Sequence, residues 1–382
     1  MALSRLQIHH VRNLGQVELN ELGQVNVLYG ANGSGKTSIL EAIHLLGMAK
    51  SFRGNSVKSL ITYDHPSCIV FGAVVGGGGA ELSSTATTPL GVQRFRSGEI
   101  QIKIAGTPVK TVAELAEYLP IQVINADSFD LLTGSPGARR RYLDWGVFHV
   151  EHRFFAEWQR FQRCIKQRNK LLRRGKMSGD ELAVWSRDLA AAGAAINDYR
   201  KAYLKQLVPL FKTIVHEISP AFGAVELRFT QGWDKQLDYK TALERSKESD
   251  WDQGFTHVGP QRADFRVIID GHPASDTLSR GQQKLVVCAL KLAQGQLMSE
   301  SGRGHCIYLV DDLPSELDEQ HNRLVCKHLA DMSAQVFITC VEQQDICGVW
   351  PDFAPLTLFH VEHGAVHTGA AVHASDTPTN HH

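Results

Sequence analysis

Three features are missing from the sequence, and each absence excludes a class of protein. The 382 residues contain no apolar stretch long enough for a membrane helix, and the opening MALSRLQIHHVRNL lacks the apolar core of a secretory signal. Net charge is also missing, because 40 basic residues balance 40 acidic ones, so total charge does not indicate a polyanionic partner. The seven cysteines lack paired metal-ligand spacing, which favours buried free thiols in a reducing compartment. We therefore expect a cytoplasmic protein without a membrane partner.

A glycine cluster lies between two regular patterns near the start of the chain. Residues 24–28 alternate like a strand, and apolar residues at helical spacing follow the cluster. Glycines in such a loop let backbone N–H groups surround an anion at the positive end of the helix. Lys36 would reach the terminal phosphates of a nucleoside triphosphate, and Thr37 would ligate magnesium. A glycine-rich turn with an unrelated lysine is the alternative. The predicted phosphate-binding residues are Gly30, Ala31, Asn32, Gly33, Ser34, Gly35, Lys36, Thr37 and Ser38.

Two carboxylates end an apolar segment late in the chain, CIYLVDD at residues 306–312. An apolar strand of this kind is buried, so Asp311 should emerge at its C-terminal end and share a magnesium ion with Thr37. Asp312 would orient or polarise the attacking water. Beside the glycine loop, the pair predicts hydrolysis of the nucleotide.

A second helix start with phosphate-binding character is TLSRGQQK, residues 277–284. Its serine and glycine precede a helical pattern, as at an anion-binding helix N-terminus. One subunit does not need two such sites for one nucleotide. We therefore predict that this segment contacts nucleotide bound by a partner chain, so that ATP holds a symmetric dimer together.

The middle of the chain is helical and basic. Apolar stripes at residues 154–172 and 185–203, separated by RRGKMSGD, predict an antiparallel helix pair that ends or kinks at Pro209. Residues 139–176 contain twelve lysines and arginines but three acids. Five of these cations lie opposite the first stripe and form a predicted cationic ridge that binds polyphosphate; a solvated helix face is the alternative. The ridge is Arg163, Lys166, Lys170, Arg173 and Arg174.

These patterns predict an α/β protein with a discontinuous nucleotide-binding head. Residues 1–125 and 256–372 would form the head, and residues 126–255 an inserted helical lobe. The polar residues 373–382 are expected to be a disordered tail.

Several motifs carry a resemblance to a known family. GANGSGKT, LSRGQQ and LVDDLPSELD resemble the ATP-binding-cassette ATPase heads of the SMC and Rad50 class. SFRG, LTGSPGARRRYLDW and HVGPQRADF resemble the RecF family of bacterial recombination mediators over almost the whole chain. The resemblance implies an ABC-ATPase-like head, with mixed sheets around the P-loop core, and an inserted helical lobe.

The resemblance also implies roles for individual residues. Asp312 would stand where many relatives have a catalytic glutamate, Thr339 at the switch position, and Asp318 in the segment that crosses the dimer interface. Arg139 and Arg140 would contact DNA, unless they cap a helix or form salt bridges. The residues implied to contact the opposing protomer's nucleotide are Ser279, Arg280, Gly281 and Gln282. The predicted catalytic residues are Lys36, Asp311, Asp312, Ser279 and Thr339.

Two positions stay open within the resemblance. The glutamine that senses the γ-phosphate in transporter-like heads is not evident, and Gln122 and Asn125 are both possible. Gln261 stands where the family has histidine, so the resemblance carries no role over to that position.

The function implied by the resemblance is a weak, DNA-stimulated ATPase that acts as a switch with ATP and Mg²⁺. ATP would close a homodimer on gapped duplex DNA at single-strand/double-strand junctions, and slow hydrolysis would release it. RecO and RecR are the implied partners in loading RecA, with a part in the SOS response and association with the nucleoid. The rivals are an ATPase subunit of a membrane transporter, which has no use for the basic lobe, and an ATP-binding scaffold that does not hydrolyse ATP.

Overall fold

The computed structural model of the chain describes residues 1–54, 56–76, 87–174 and 179–372. The tail that we expect to be disordered, residues 373–382, lies outside the described residues. All seven cysteines are buried and free, as the sequence predicts. No helix in the described part of the chain is both long and apolar enough to cross a membrane.

The chain divides into two compact units. The first comprises residues 1–128 and 217–219 and the chain from 284 onward, and the second comprises 129–216 and 220–283. Residues 256–283 thus cluster with the second unit, although the sequence-based division assigns them to the head. The division into a head and an inserted lobe, as separate folding domains, stays a prediction.

Fifteen strands form three sheets within the described residues. The strands are β1 (Ala2–Val11), β2 (Leu14–Leu19), β3 (Val25–Tyr29), β4 (Ser67–Val75), β5 (Thr87–Phe95), β6 (Ile100–Ile104), β7 (Thr107–Val109), β8 (Ile121–Ile124), β9 (Val225–Thr230), β10 (Asp264–Ile269), β11 (His272–Pro273), β12 (Ile307–Val310), β13 (Val336–Cys340), β14 (Leu356–Glu362) and β15 (Ala365–Val372).

Helices connect the strands and dominate the second unit. They are α1 (Lys36–Met48), α2 (Val57–Leu60), α3 (Val112–Tyr118), α4 (Asp130–Thr133), α5 (Pro136–Val150), α6 (Phe154–Arg173), α7 (Gly179–Ile218), α8 (Tyr239–Arg245), α9 (Lys247–Gln253), α10 (Ala274–Thr277), α11 (Arg280–Glu300), α12 (Leu313–Glu316), α13 (Glu319–Asp331) and α14 (Gln344–Cys347). Two short 3₁₀ turns lie at Ala126–Phe129 and Pro260–Arg262.

The central sheet of the first unit is mostly parallel, in the order β15-β14-β3-β13-β12-β8. Five of its strands run parallel, and β15 pairs antiparallel with β14. Strands β12 and β13 are buried at every position, as expected for strands covered on both faces. Because the strands are parallel, their C-terminal ends meet at one edge of the sheet, where polar side chains can converge.

A second, antiparallel sheet packs in the same unit, in the order β2-β1-β4-β5-β6-β7. Its strands alternate between buried and less buried residues, so one face is apolar. Helix α1 is buried at eleven of its thirteen residues. It contacts strands of both sheets, and its side chains share one apolar cluster with them. The strand, loop and helix predicted around the glycine cluster are confirmed as β3, residues 30–35 and α1.

The second unit contains the predicted helix pair and a small sheet of β11, β10 and β9. Arg160 of α6 contacts Asp188 of α7, and Arg168 contacts Ser186, as expected for antiparallel helices. Helix α7 does not end at Pro209 but continues to Ile218. A proline removes only one helical hydrogen bond, and burial of apolar residues on both sides compensates for it. These buried residues are Leu207, Phe211, Ile214, Val215 and Ile218.

Candidate functional site

The glycine loop joins β3 to the N-terminus of α1 with backbone angles that favour glycine. Gly30, Gly33 and Gly35 have φ values of 142°, 82° and 123°. A Cβ on Gly30 would lie 2.3 Å from the carbonyl oxygen of Val361, so no larger residue fits there without a backbone shift. Helix α1 has no acidic residue in its first turn, and its free N–H groups therefore keep their affinity for an anion.

Lys36 is the first residue of α1 and is folded back onto the loop. Its Nζ atom donates hydrogen bonds to the carbonyl oxygens of Gly30, at 2.5 Å, and Ala31, at 3.0 Å. Carbonyl dipoles hold the ammonium group without neutralising its charge. The positive charge therefore stays available to an anion in the loop.

Two threonines converge on Asp311 at the C-terminal edge of the parallel sheet. The Thr37 hydroxyl donates to Asp311 Oδ1 at 2.9 Å, and the Thr339 hydroxyl donates to the same oxygen at 2.8 Å. Burial raises the pKa of the Asp311 carboxyl above its usual value, although both threonine hydrogen bonds act in the opposite direction. The sequence predicts the proximity of Thr37 and Asp311, and the geometry adds Thr339 as a second donor.

Asp312 follows directly and is exposed. Its backbone N–H donates to the Thr339 hydroxyl at 2.9 Å, and its φ of 57° lies in the left-handed region. This strained backbone, fixed by Thr339, turns the Asp312 side chain away from the direction that a continuing strand would give it.

A cavity of about 680 Å³ opens in front of the loop. Five basic side chains line it, against two carboxylates, so its potential favours a polyanion. The sequence predicts no role for four of the five basic residues, because they come from segments far apart in the chain. The basic residues are Arg12, Lys36, Arg53, Lys58 and Arg96, and the acids are Asp311 and Asp312.

Arg12 is oriented by a carboxylate inside helix α1. Its guanidinium donates to both oxygens of Glu41, at 2.8 Å and 2.7 Å, and these bonds raise the pKa of Arg12. Glu41 is fully buried and also accepts a hydrogen bond from the Ser51 hydroxyl. An acid within the apolar run SILEAIHLL is the signal that could have predicted such a pair, since buried acids are almost always paired.

The two open candidates for the γ-phosphate sensor differ in position. Gln122 is buried within β8, where its amide donates to Gln294 at 2.6 Å and accepts from Lys291 at 3.1 Å. Asn125 follows β8, next to Ile124, whose carbonyl accepts the backbone N–H of Asp311 at 2.9 Å. Asn125 is therefore at the edge where Asp311 lies, and Gln122 is inside the core.

The segment predicted to contact a partner's nucleotide forms an exposed helix start in the second unit. The Gln282 N–H donates to the Ser279 hydroxyl at 3.3 Å, and the Ser279 N–H donates to the Gln282 side chain at 3.0 Å. This is a capping box at the start of the 21-residue helix α11. Ser279, Arg280, Gly281 and Gln282 are all exposed. Asp318, in the first unit, caps α13 by accepting the His321 N–H at 3.0 Å.

The ridge residues, four on α6 and Arg174 directly after it, are all exposed, and among the described residues no salt bridge involves any of them. Arg168, on the same helix, is instead 1% exposed and pairs with the fully buried Asp250 at 2.7 Å. The apolar stripe predicted for α6 thus includes an arginine on its buried side. The ridge is free to meet an anion, whereas Arg168 is held inside the unit.

Arg139 and Arg140, on helix α5, are largely engaged by the protein itself. Arg139 is 8% exposed and forms a bidentate pair with Asp264, at 2.6 Å and 3.0 Å. Arg140 donates to the carbonyl oxygen of Ala263 at 2.8 Å. This geometry favours the salt-bridge alternative for Arg139, and contact of either residue with DNA stays a prediction. Gln261 donates to the carbonyl oxygen of Val258 at 2.9 Å, which gives its amide a local structural contact.

A metal ion at the loop would depend on oxygen ligands. In the described part of the chain, no cluster of three or more His, Cys, Asp or Glu side chains could hold a metal. The Thr37 hydroxyl and the Asp311 carboxylate are oxygen ligands of the kind that Mg²⁺ prefers, and they lie within hydrogen-bond distance of each other. The residues present therefore fit Mg²⁺ if phosphates and water complete its coordination.

Comparison with known proteins gives consistent matches over nearly the whole chain. Residues 2–352 match the family model for the RecF/RecN/SMC N terminal domain. The chain is 50% identical over 366 residues to the DNA replication and repair protein RecF of Pseudomonas syringae pv. syringae (strain B728a), covering 96% of this chain and 98% of the relative. RecF of Stutzerimonas stutzeri (strain A1501) is also 50% identical, with 96% and 97% covered.

Solved structures agree with the sequence matches. A structure of the recombination mediator protein RecF with ATP, in the RecFOR pathway, superposes with a TM-score of 0.83 at 26% identity, covering 96% of this chain and 97% of that chain. An Smc head bound to the C-winged helix domain of ScpA gives a TM-score of 0.58 at 13% identity, covering 98% of both chains, and shares the fold. The predicted ABC-ATPase-like α/β fold is thereby confirmed.

Proposed function

Because the chain belongs to the RecF family of DNA replication and repair proteins, we propose that it is an ATP-dependent DNA-binding protein with ATPase activity. The observation that carries the proposal is the convergence of Thr37 and Thr339 on Asp311 at the mouth of the glycine loop. That arrangement supports a nucleotide that is bound and hydrolysed, because it brings a hydroxyl, a carboxylate and the loop to one edge of the sheet.

ATP would bind with its phosphates in the loop formed by residues 30–38. The Lys36 ammonium would exchange the carbonyl oxygens of Gly30 and Ala31 for phosphate oxygens, which offer full negative charge. Thr37 and Asp311 would hold Mg²⁺, which supplies charge neutralisation at the β- and γ-phosphates when bound. The basic lining of the cavity supports the polyphosphate end of the ligand.

Asp312 would position the attacking water, with its backbone fixed by Thr339. An aspartate carboxylate lies about one methylene further from the water than a glutamate carboxylate would. We therefore propose slow, DNA-stimulated hydrolysis that serves as a timer. An inert scaffold would release phosphate equally with aspartate or asparagine at this position, so comparison of wild type with Asp312→Asn separates the two.

The exposed segment Ser279–Gln282 would contact the γ-phosphate of nucleotide bound to a second copy of the chain. Its exposure and its place at the start of a long helix support such a contact. ATP would then join two copies into a homodimer, and its hydrolysis would separate them. DNA, in particular gapped duplex with single-strand/double-strand junctions, would bind through the cationic ridge. RecO and RecR would be the partners in loading RecA in the cytoplasm, at the nucleoid, with a part in the SOS response.

The test measures molecular mass and affinity for gapped DNA together, with and without ATP and Mg²⁺. Wild type should pair only with ATP and bind DNA more tightly in that state. Lys36→Met should bind little nucleotide, and Ser279→Arg should bind nucleotide nearly normally, yet both should stay monomeric. Equal pairing with ADP and ATP, or no pairing at all, would contradict the dimer. Absence of DNA binding at moderate salt would instead favour the transporter-subunit rival.

A further inference from the structure

Tyr63 is an exposed aromatic side chain on the wall of the nucleotide cavity. It is 83% exposed, and it lines the same cavity as Lys36, Thr37 and Asp311. A tyrosine side chain combines a large apolar face with a polar tip, which suits it to contact a ligand at the wall of an open cavity. The phosphate loop forms one part of the cavity lining, and Tyr63 is available in another part for the remainder of a ligand.

The turn that carries Tyr63 is fastened on both sides. The Thr62 N–H donates to the carbonyl oxygen of His10 at 2.9 Å, and its hydroxyl donates to that of Leu14 at 3.3 Å. The His65 N–H donates to the Thr62 carbonyl at 3.2 Å, and the His65 ring stacks on the His10 ring with centroids 3.6 Å apart. These contacts fix the turn to strands β1 and β2.

Arg96, the first residue after β5, also stabilises this turn. Its guanidinium donates to the carbonyl oxygens of His65, at 2.6 Å, and Thr62, at 2.9 Å, which flank Tyr63 in the chain. The backbone on each side of Tyr63 is therefore held, while its phenol ring is left exposed. A rigid backbone that presents an open aromatic face loses little entropy when a flat ligand stacks on it.

The size of the cavity matches a complete nucleotide. At about 680 Å³ it lies within the usual range of roughly 300–1,000 Å³ for small-molecule sites, more than phosphates alone require. A triphosphate bound by the glycine loop leaves its base outside the loop, where Tyr63 offers the exposed aromatic surface of this lining. Stacking on an aromatic side chain tolerates any base, because every base has a π-face.

We propose that Tyr63 stacks on the nucleobase of the bound nucleoside triphosphate and supplies the part of the affinity that the phosphates do not. This inference rests on the proposed function and deepens it, because it assigns the base-binding wall of the same site. The other occupant to consider for an exposed aromatic residue is a second copy of the chain, and the experiment distinguishes the two.

The experiment titrates the full-length protein with ATP, GTP and inorganic tripolyphosphate by calorimetry, at fixed Mg²⁺. Tyr63→Ala should weaken ATP and GTP binding by roughly 5- to 150-fold, the effect of removing one stacked aromatic residue, and should leave tripolyphosphate binding unchanged. Tyr63→Phe keeps the ring and should bind ATP as wild type does. Phe353→Ala is the matched control, because Phe353 is also largely exposed in the first unit and does not line this cavity.

Three outcomes would overturn the inference. Equal ATP affinity for wild type and Tyr63→Ala would show that the ring does not contact the base. Loss of ATP-dependent pairing in Tyr63→Ala with normal ATP affinity would assign the ring to a second copy. Equal weakening of ATP and tripolyphosphate would assign it to the phosphates. If wild type binds neither ATP nor tripolyphosphate, or if Lys36→Met binds both normally, the proposed function itself fails, which is a different result from the first three.

Discussion

The cavity of the first unit and the helical region of the second are both rich in basic residues, but they use them differently. In the cavity, Lys36 is held by neutral carbonyls and keeps its charge for a ligand. In the second unit, three arginines are buried against aspartates, while the ridge on α6 is exposed. The buried pairs are Arg139–Asp264, Arg168–Asp250 and Arg200–Asp144. A count of charges in the sequence therefore cannot separate cations that bind ligands from cations that hold the fold.

The largest predicted effect is on stability, and it tests whether the buried arginines hold the fold: it comes from removal of one buried arginine–aspartate pair. Arg168→Met should lower the free energy of unfolding of the protein by about 3–5 kcal/mol, because Asp250 is left without its guanidinium partner in the interior. Urea unfolding followed by tryptophan fluorescence measures it. Asp188→Ala is the matched control, since it removes the exposed pair with Arg160 on the same helix pair and should cost at most about 1 kcal/mol. Equal effects for the two variants would contradict the contrast.

A second prediction concerns the exposed ridge. Replacing its five cations by glutamine should reduce the dependence of DNA affinity on salt, by about 0.9 in the logarithmic slope for each DNA phosphate that the ridge would otherwise neutralise. Fluorescence anisotropy with gapped duplex DNA, over a series of KCl concentrations, measures the slope. ATP affinity and the unfolding midpoint should stay as in wild type, because the ridge is exposed. An unchanged slope would identify the ridge as a solvated helix face.

The smallest predicted effect is at Thr339, in the first unit. Thr339→Val preserves the shape of the side chain but removes the hydroxyl that donates to Asp311 and accepts from the Asp312 N–H. The rate of phosphate release should fall by about 5- to 150-fold, since two hydrogen bonds are lost and each contributes roughly 0.5–1.5 kcal/mol. Thr339→Ser keeps the hydroxyl and should retain most of the rate. If the valine and serine variants release phosphate equally fast, Thr339 does not act through its hydroxyl.

Much of the structure of the first unit was predictable, because the sequence patterns that indicate its loop, helix and strands each lie within one short segment. The glycines, Lys36 and the apolar residues of α1 follow one another in the chain, and so do the apolar strand β12 and Asp311. Both segments obey short-range rules for strands, helix starts and buried parallel strands. The sequence could therefore predict the loop and the carboxylate opposite it, including the proximity of Thr37 and Asp311.

The other features of the site and the fold depend on contacts between residues far apart in the sequence, which no short segment predicts. Arg12 and Arg96 reach the cavity because each directly follows a strand of the antiparallel sheet, and Arg53 reaches it from the segment between α1 and α2. In the sequence, Arg168 cannot be distinguished from the other cations of a basic helix. It is buried because it pairs with Asp250, which lies 82 positions later in the chain. At Pro209, the local rule favours a helix end, but burial of the flanking apolar residues overrides it.

The pairing of β3 with β13 and β14 has a consequence for synthesis of the chain on the ribosome. The strand that leads into the phosphate loop gains its parallel neighbours only after residue 336 has been translated, about 300 residues later. At roughly 5–20 residues per second, the nascent β3 waits about 15–60 s before its edges are covered. We therefore expect a polypeptide released early to have an intact glycine motif but no parallel neighbours for β3, and to lack a supported phosphate loop.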